Sequence, residues 1–157
     1  MLFHRALCII WFAQVACVPE EIAEVPETPV DYGEPGSFTS ATFDDVTVGS
    51  SGVELRLQVW YPSSEEPGEA VVYDGVWPGE ATDDLAADCG GPLPVVVFSH
   101  GFGGVRWQSA FLAEHLASHG YLVVAPDHTY NTYRDYEADQ FIAVVTRRPV
   151  DTSDSFD

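Results

Sequence analysis

The chain contains no lysine, and its six arginines face 25 aspartates and glutamates, a formal charge of -19 over 157 residues. A surface of that sign repels phosphate backbones and anionic headgroups, which excludes nucleic acid and electrostatic attachment to an anionic membrane face. It suits an exported protein that must stay soluble, and also a salty habitat. The P-loop lysine and the G-x-G-x-x-G spacing of a dinucleotide fold are both absent. So is G-x-S-x-G, the turn that presents a nucleophilic serine, and no other nucleophile is identifiable. The apolar run Ala6 to Val15 is too short to span a membrane.

What the chain does have is concentrated between Leu93 and Asp127. Pro94 to Ser99 is a continuous apolar, β-branched run, the composition of a central strand buried on both faces. It stops at His100-Gly101-Phe102-Gly103-Gly104, where glycines allow backbone angles and close approaches that a Cβ would forbid. From Trp107 the apolar positions Ala110, Phe111, Leu112, Leu116 and Ala117 follow helical spacing, and Gly120 stands where a left-handed cap is expected. Tyr121 to Ala125 is a second β-rich run, closed by Pro126. The unit reads β-loop-α-β, with parallel strands and a right-handed crossover.

In open sheets of this kind ligands sit outside the carboxyl ends of the strands, where the glycine loop and Asp127-His128 both emerge. The loop reads first as an oxyanion hole, with backbone N–H groups aimed at a developing carbonyl anion. A phosphate cradle and a purely structural turn are the alternatives. Ser99, Asp127 and His128 invite a Ser-His-Asp reading. Ser99 precedes the glycine loop instead of occupying a nucleophile elbow, so Asp127 and His128 are expected to shape the pocket floor by hydrogen bonding. His115 and His119 have a metal-compatible spacing, but HLASH lacks the glutamate of H-E-x-x-H and a third ligand, so no metal and no cofactor are expected.

VVVFSHGFGG, a helix, and then LASHGYLVVAPDH together resemble the α/β-hydrolase superfamily, and most closely its platelet-activating factor acetylhydrolase and dienelactone hydrolase-like branch. The likeness runs more loosely from Ser37 to Asp157, taking in VWYP at Val59 to Pro62, and covers the amino-terminal part of a family domain. The resemblance implies an incomplete α/β-hydrolase fold, with an antiparallel edge hairpin followed by the parallel β-α-β unit. It implies a carboxylic ester hydrolase, acetylhydrolase or lipase-like, acting on a small ester or short-acyl phospholipid. It gives the Phe102 N–H as one oxyanion donor, with Gly101, Gly103, Asp127 and His128 around the substrate. The family's nucleophile elbow is expected beyond a helix beginning near Asp151, with the acid and histidine further on, so this stretch alone is read as an inactive fragment. The rival reading is a non-catalytic exported or lipid-anchored binding protein.

The remaining segments read in order. Residues 1–17 form a signal peptide, with Arg5 ahead of the apolar run, so the protein is expected to be periplasmic, an outer-membrane lipoprotein or secreted. Val15-Ala16-Cys17 resembles the end of a bacterial lipobox, which implies a lipid on Cys17 and membrane attachment through it, although Gln14 departs from that pattern. Residues 18–37 are an acidic, proline-rich tether, and residues 38–157 the partial hydrolase domain. Thr42–Val48 and Val53–Tyr61 read as a hairpin, with Val53, Leu55, Leu57, Val59 and Tyr61 sharing one face. Pro62 to Pro92 reads as a long, functional or mobile insertion that contains the structural cysteine Cys89 and an apolar island at Val71 to Trp77. Phe141 to Val145 is open between a short strand and a lid edge.

Overall fold

The computed structural model describes residues 33–50, 52–88 and 90–155. The signal-peptide expectation, with Cys8 and Cys17, falls outside the described residues, as do most of the tether and Cys89. The packed unit begins at Glu34. Residues 34–37, read as tether, already lie against the end of a helix, where the Gly36 N–H donates to Ser118 Oγ at 2.8 Å. A Cβ on Gly36 would stand 2.0 Å from the Ser118 carbonyl oxygen, so only glycine permits this approach.

Strands β1 (Thr39–Val48) and β2 (Glu54–Ser63) form the expected antiparallel hairpin. Then come β3 (Ala70–Tyr73), β4 (Trp77–Asp83), β5 (Val95–Val97), helix α1 (Ala110–Ser118), β6 (Leu122–Pro126) and helix α2 (Phe141–Asp154). The six strands form one mixed sheet in the order β3-β4-β1-β2-β6-β5. The first hairpin is therefore interior and not at the edge. The insertion supplies the edge instead: its apolar island becomes the β3/β4 hairpin, and β4 pairs parallel with β1 at Ala41 and Thr42. An interior position also explains why β2 is buried on both faces from Leu57 onward, beyond the alternation visible in its sequence. Leu55, Leu57, Val59 and Tyr61 enter one core cluster, and Trp60 enters the other with Val123, Ala125 and the buried face of α1.

The β5-α1-β6 unit is parallel as expected. Strand β5 is short and terminal in the described sheet, not central, and Val95 remains 47% exposed. Helix α1 ends in a Schellman motif, with Gly120 at φ +90° and the Tyr121 N–H returning to the Leu116 carbonyl at 3.1 Å. Its buried stripe is Ala110, Ala113, Glu114, Ala117 and Ser118, whereas Phe111 and Leu112 face outward. The small residues let α1 lie close to the sheet. Helix α2 begins at Phe141, not near Asp151, so Phe141 to Val145 is its opening turns. Pro149 within it withholds one helical N–H. No helix among the described residues is long and apolar enough to cross a membrane.

The inserted hairpin is held down by a buried carboxylate. Glu114 Oε1 accepts from Tyr73 Oη at 2.6 Å and from the Glu80 and Ala81 N–H groups at 3.0 and 3.2 Å. Trp60 Nε1 in turn donates to Tyr73 Oη at 2.7 Å. Burial, followed by the bond to Glu114, pushes the Tyr73 phenol far above its usual range, so it remains a donor. Glu114→Ala leaves these buried donors without an acceptor and should cost about 3 kcal/mol. The check is urea unfolding of folded wild type and variant at equal m-value; a loss below about 1 kcal/mol would remove Glu114 as the anchor.

Candidate active site

The carboxyl ends of β5 and β6 bring the glycine loop and Asp127-His128 together, as the sequence implied. The loop is built by three different constraints. Gly103 has φ +71° with open space where its Cβ would be, so its demand is on backbone angle. Gly104 has no such angle, but a Cβ there would sit 1.9 Å from Gln108 Oε1 and 3.0 Å from the Gly101 carbonyl oxygen, so a side chain would displace Gln108 from the loop. Gly101 meets Gln108 only at ordinary contact distance, and its N–H donates to Gln108 Oε1 at 3.1 Å.

The N–H groups of the two following glycines are also engaged. The Gly103 N–H donates to Asn131 Oδ1 at 3.3 Å and the Gly104 N–H to the Gly101 carbonyl at 2.9 Å. Among the described residues the Phe102 N–H has no partner. The residue is 55% exposed, and its ring packs edge-on against Tyr136 and Phe141 at centroid distances of 5.2 and 5.8 Å. Asn131 is presented by a tight turn in which Asp135 accepts from the Tyr130 and Thr132 N–H groups at 2.7 and 2.9 Å. Burial raises the Asp135 pKa, but the Thr132 hydroxyl and these amides outweigh it and hold the carboxyl below its ordinary value.

Asp127 and His128 face inward. Asp127 accepts from the Arg106 N–H at 2.6 Å and from Arg106 Nη1 at 2.7 Å, so both its oxygens are occupied and tie the loop's far end to β6. His128 is 0% exposed. Its Nε2 lies 2.8 Å from Ser99 Oγ and its Nδ1 lies 3.0 Å from Asp151 Oδ2. The structure thus joins Ser99 to His128 but completes the set with Asp151 of α2, not Asp127. Arg147 Nε bonds Asp151 Oδ1 at 3.2 Å, and Arg148 Nη2 donates to Ser99 Oγ at 2.9 Å and to the His100 carbonyl. Sequence reading missed Asp151, Arg147, Arg148, Gln108 and Asn131. Of these, Asp151 is buried on the inner face of α2 with Val144 and Asp154, a placement that only the fold reveals.

Beside the loop, Val76, Trp77, Val105, Trp107, Gln108 and Tyr133 line an apolar groove of about 300 Å³. Gln108 is shared between groove and loop. The rings of His115 and His119 are 4.7 Å apart, and the described residues contain no group of three side chains able to hold a metal.

The family model described as platelet-activating factor acetylhydrolase, isoform II, matches residues 45–139. The chain belongs to that family. It is 35% identical over 65 residues to chlorophyllase-1 of Arabidopsis thaliana, which covers 41% of this chain and 20% of the chlorophyllase. It is also similar to the solved ferulic acid esterase from Streptomyces cinnamoneus, at 30% identity and a TM-score of 0.47, over 69% of this chain and 36% of the esterase. The chain thus spans only a minor part of the length of either relative. Membership and the mixed sheet together bear out the incomplete α/β-hydrolase fold.

Burial, followed in effect by the neighbouring His128 and Arg148, depresses the His100 pKa below the ordinary 6.5, outweighing the bond to Gly101. The unfolded chain therefore binds a proton near pH 6.5 that the folded ring refuses. Because the unfolded state then holds more protons, stability falls as pH drops below about 6.5 and the loss levels off only beneath the depressed folded value. Calorimetric melting from pH 7.5 down to 5 should show a steeper fall for wild type than for His100→Asn. Parallel curves would remove His100 as the group responsible.

Proposed function

We propose that this chain is the amino-terminal part of an exported carboxylic ester hydrolase, acting on a small ester or short-acyl phospholipid, and that it supplies the Phe102 N–H as one of two oxyanion donors. The observation that carries the reading is that, between Gly101 and Gly104 and among the described residues, the Phe102 N–H is uncommitted while the three glycine N–H groups are bonded. Family membership supports the reaction class. The small share of each relative that the chain covers supports a nucleophile, acid and histidine contributed by further sequence. Acyl transfer then requires only that the carbonyl oxygen of the ester dock on the Phe102 N–H and on a second N–H following the nucleophile. The chain as given is inactive on this reading. Lipid on Cys17 would hold the hydrolase at an exported membrane face.

In the complete hydrolase Phe102→Leu should keep most of the turnover of short-chain nitrophenyl esters, because the contribution is the backbone donor. Phe102→Pro removes that donor and should cost on the order of a hundredfold in kcat. Gly103→Val should also be costly, through φ +71° alone since no atom obstructs its side chain. With circular dichroism confirming the fold, Phe102→Pro turnover equal to wild type would show that this loop is not the oxyanion hole.

The attachment is tested separately by metabolic labelling with a fatty acid. Wild type should incorporate label and Cys17→Ser should not; equal labelling of the two, or none in either, removes the lipid.

A further inference from the structure

Ser99, His128 and Asp151 have the spacing of a catalytic relay, yet their bonds lead somewhere else. Asp151 accepts on both oxygens, from Arg147 Nε and from His128 Nδ1. The His128 ring therefore carries a proton on Nδ1, and in the neutral ring Nε2, 2.8 Å away, accepts from the Ser99 hydroxyl. Ser99 Oγ in turn accepts from Arg148 Nη2. Moving the Ser99 proton to His128 would create an imidazolium with no exposure to water, sharing a single carboxylate with Arg147.

The backbone of His128 continues the chain. Its N–H donates to His100 Nε2 at 3.1 Å, which makes that nitrogen an acceptor and places the His100 proton on Nδ1. That proton points at the Gly101 carbonyl, 2.7 Å away. The same carbonyl accepts from the Gly104 N–H at 2.9 Å. With its oxygen held by two donors, the Gly101–Phe102 peptide plane has no rotational freedom. The bond is trans, so its N–H points opposite the oxygen, and that N–H belongs to Phe102.

We propose that His100 is the positioning residue of the oxyanion donor, and that Ser99, His128, Asp151 and Arg148 form a lock on its ring instead of a nucleophilic relay. The oxyanion role itself rests on the proposed function; the lock does not. Helix α2 takes part because Arg148 joins Ser99 Oγ to the His100 carbonyl while Asp151 fixes His128.

The test uses the chain itself. Nitrogen-15 spectra of the histidines should show His100 and His128 as neutral rings protonated on Nδ1; a proton on His100 Nε2 would overturn the lock. Two substitutions then separate the two functions of the ring. In His100→Asn the side-chain amide nitrogen replaces Nδ1, so the Gly101 carbonyl keeps its donor and the Phe102 amide resonance should stay in place. In His100→Gln the distal amide serves the His128 N–H while the Gly101 carbonyl loses its ring donor, so the Phe102 amide resonance should shift. The opposite pattern, or equal effects from both, overturns the proposal. A fluorophosphonate should leave Ser99 unlabelled, and labelling there would identify a nucleophile and overturn it too. In the complete hydrolase His100→Gln should lower kcat about tenfold with KM little changed, and His100→Asn should restore it. Absence of ester hydrolysis alongside the expected spectra would overturn the hydrolase reading and leave the lock supported.

Discussion

Two buried histidine rings, 4.9 Å apart, set the proton order of this site. A neutral imidazole has one donor and one acceptor, and a position closed to water leaves neither free to go unmatched. Asp151 fixes which nitrogen of the His128 ring donates, and the His128 backbone N–H, donating to His100 Nε2, decides the direction of the bonds that follow. The Phe102 amide, at the end of that sequence of decisions, contacts none of the residues that make them.

The fold supplies these groups from three directions. Strand β5 delivers Ser99 and His100, strand β6 delivers Asp127 and His128, and α2 returns Asp151 with the arginine pair. Arg106 and Asp127 close the far side of the loop, and Gln108 fills the space that Gly104 leaves open. The concentration of arginine here is notable in a chain with only six: Arg106, Arg147 and Arg148 all make bonds at this edge of the sheet. Against a formal net charge of -19, cations are kept where carboxylates and carbonyls must be held in fixed directions.

The β-α-β unit was legible because its signals are local: an apolar run, glycines at the turn, helical spacing, and Gly120 in the cap. The first hairpin was legible for the same reason. Its place inside the sheet was not, because β3 and β4 reach the sheet through the distant contacts of Tyr73 and Glu114. Asp74-Gly75, with both residues at positive φ, is nonetheless the turn signal for that second hairpin within a stretch that composition made look like loop. Helix α2 was obscured by Pro149 and by an opening run, Phe141 to Val145, that suits strand equally well. At the site, His128 and Ser99 could be suspected from their strand ends. Gln108 and Asn131 could not, since nothing periodic marks a side chain that bonds a backbone many residues away.

Strand β5 has a consequence of a different kind. Its outer edge is unpaired among the described residues, and its residues are three consecutive valines with no charge or proline within the strand to discourage addition. Pro94 guards only the entry. Such an edge is a template for any extended segment of compatible length, whether from a neighbouring molecule or from elsewhere in the same polypeptide. Against a second copy of this chain, the acidic surface opposes addition at such an edge only through long-range repulsion, which salt screens.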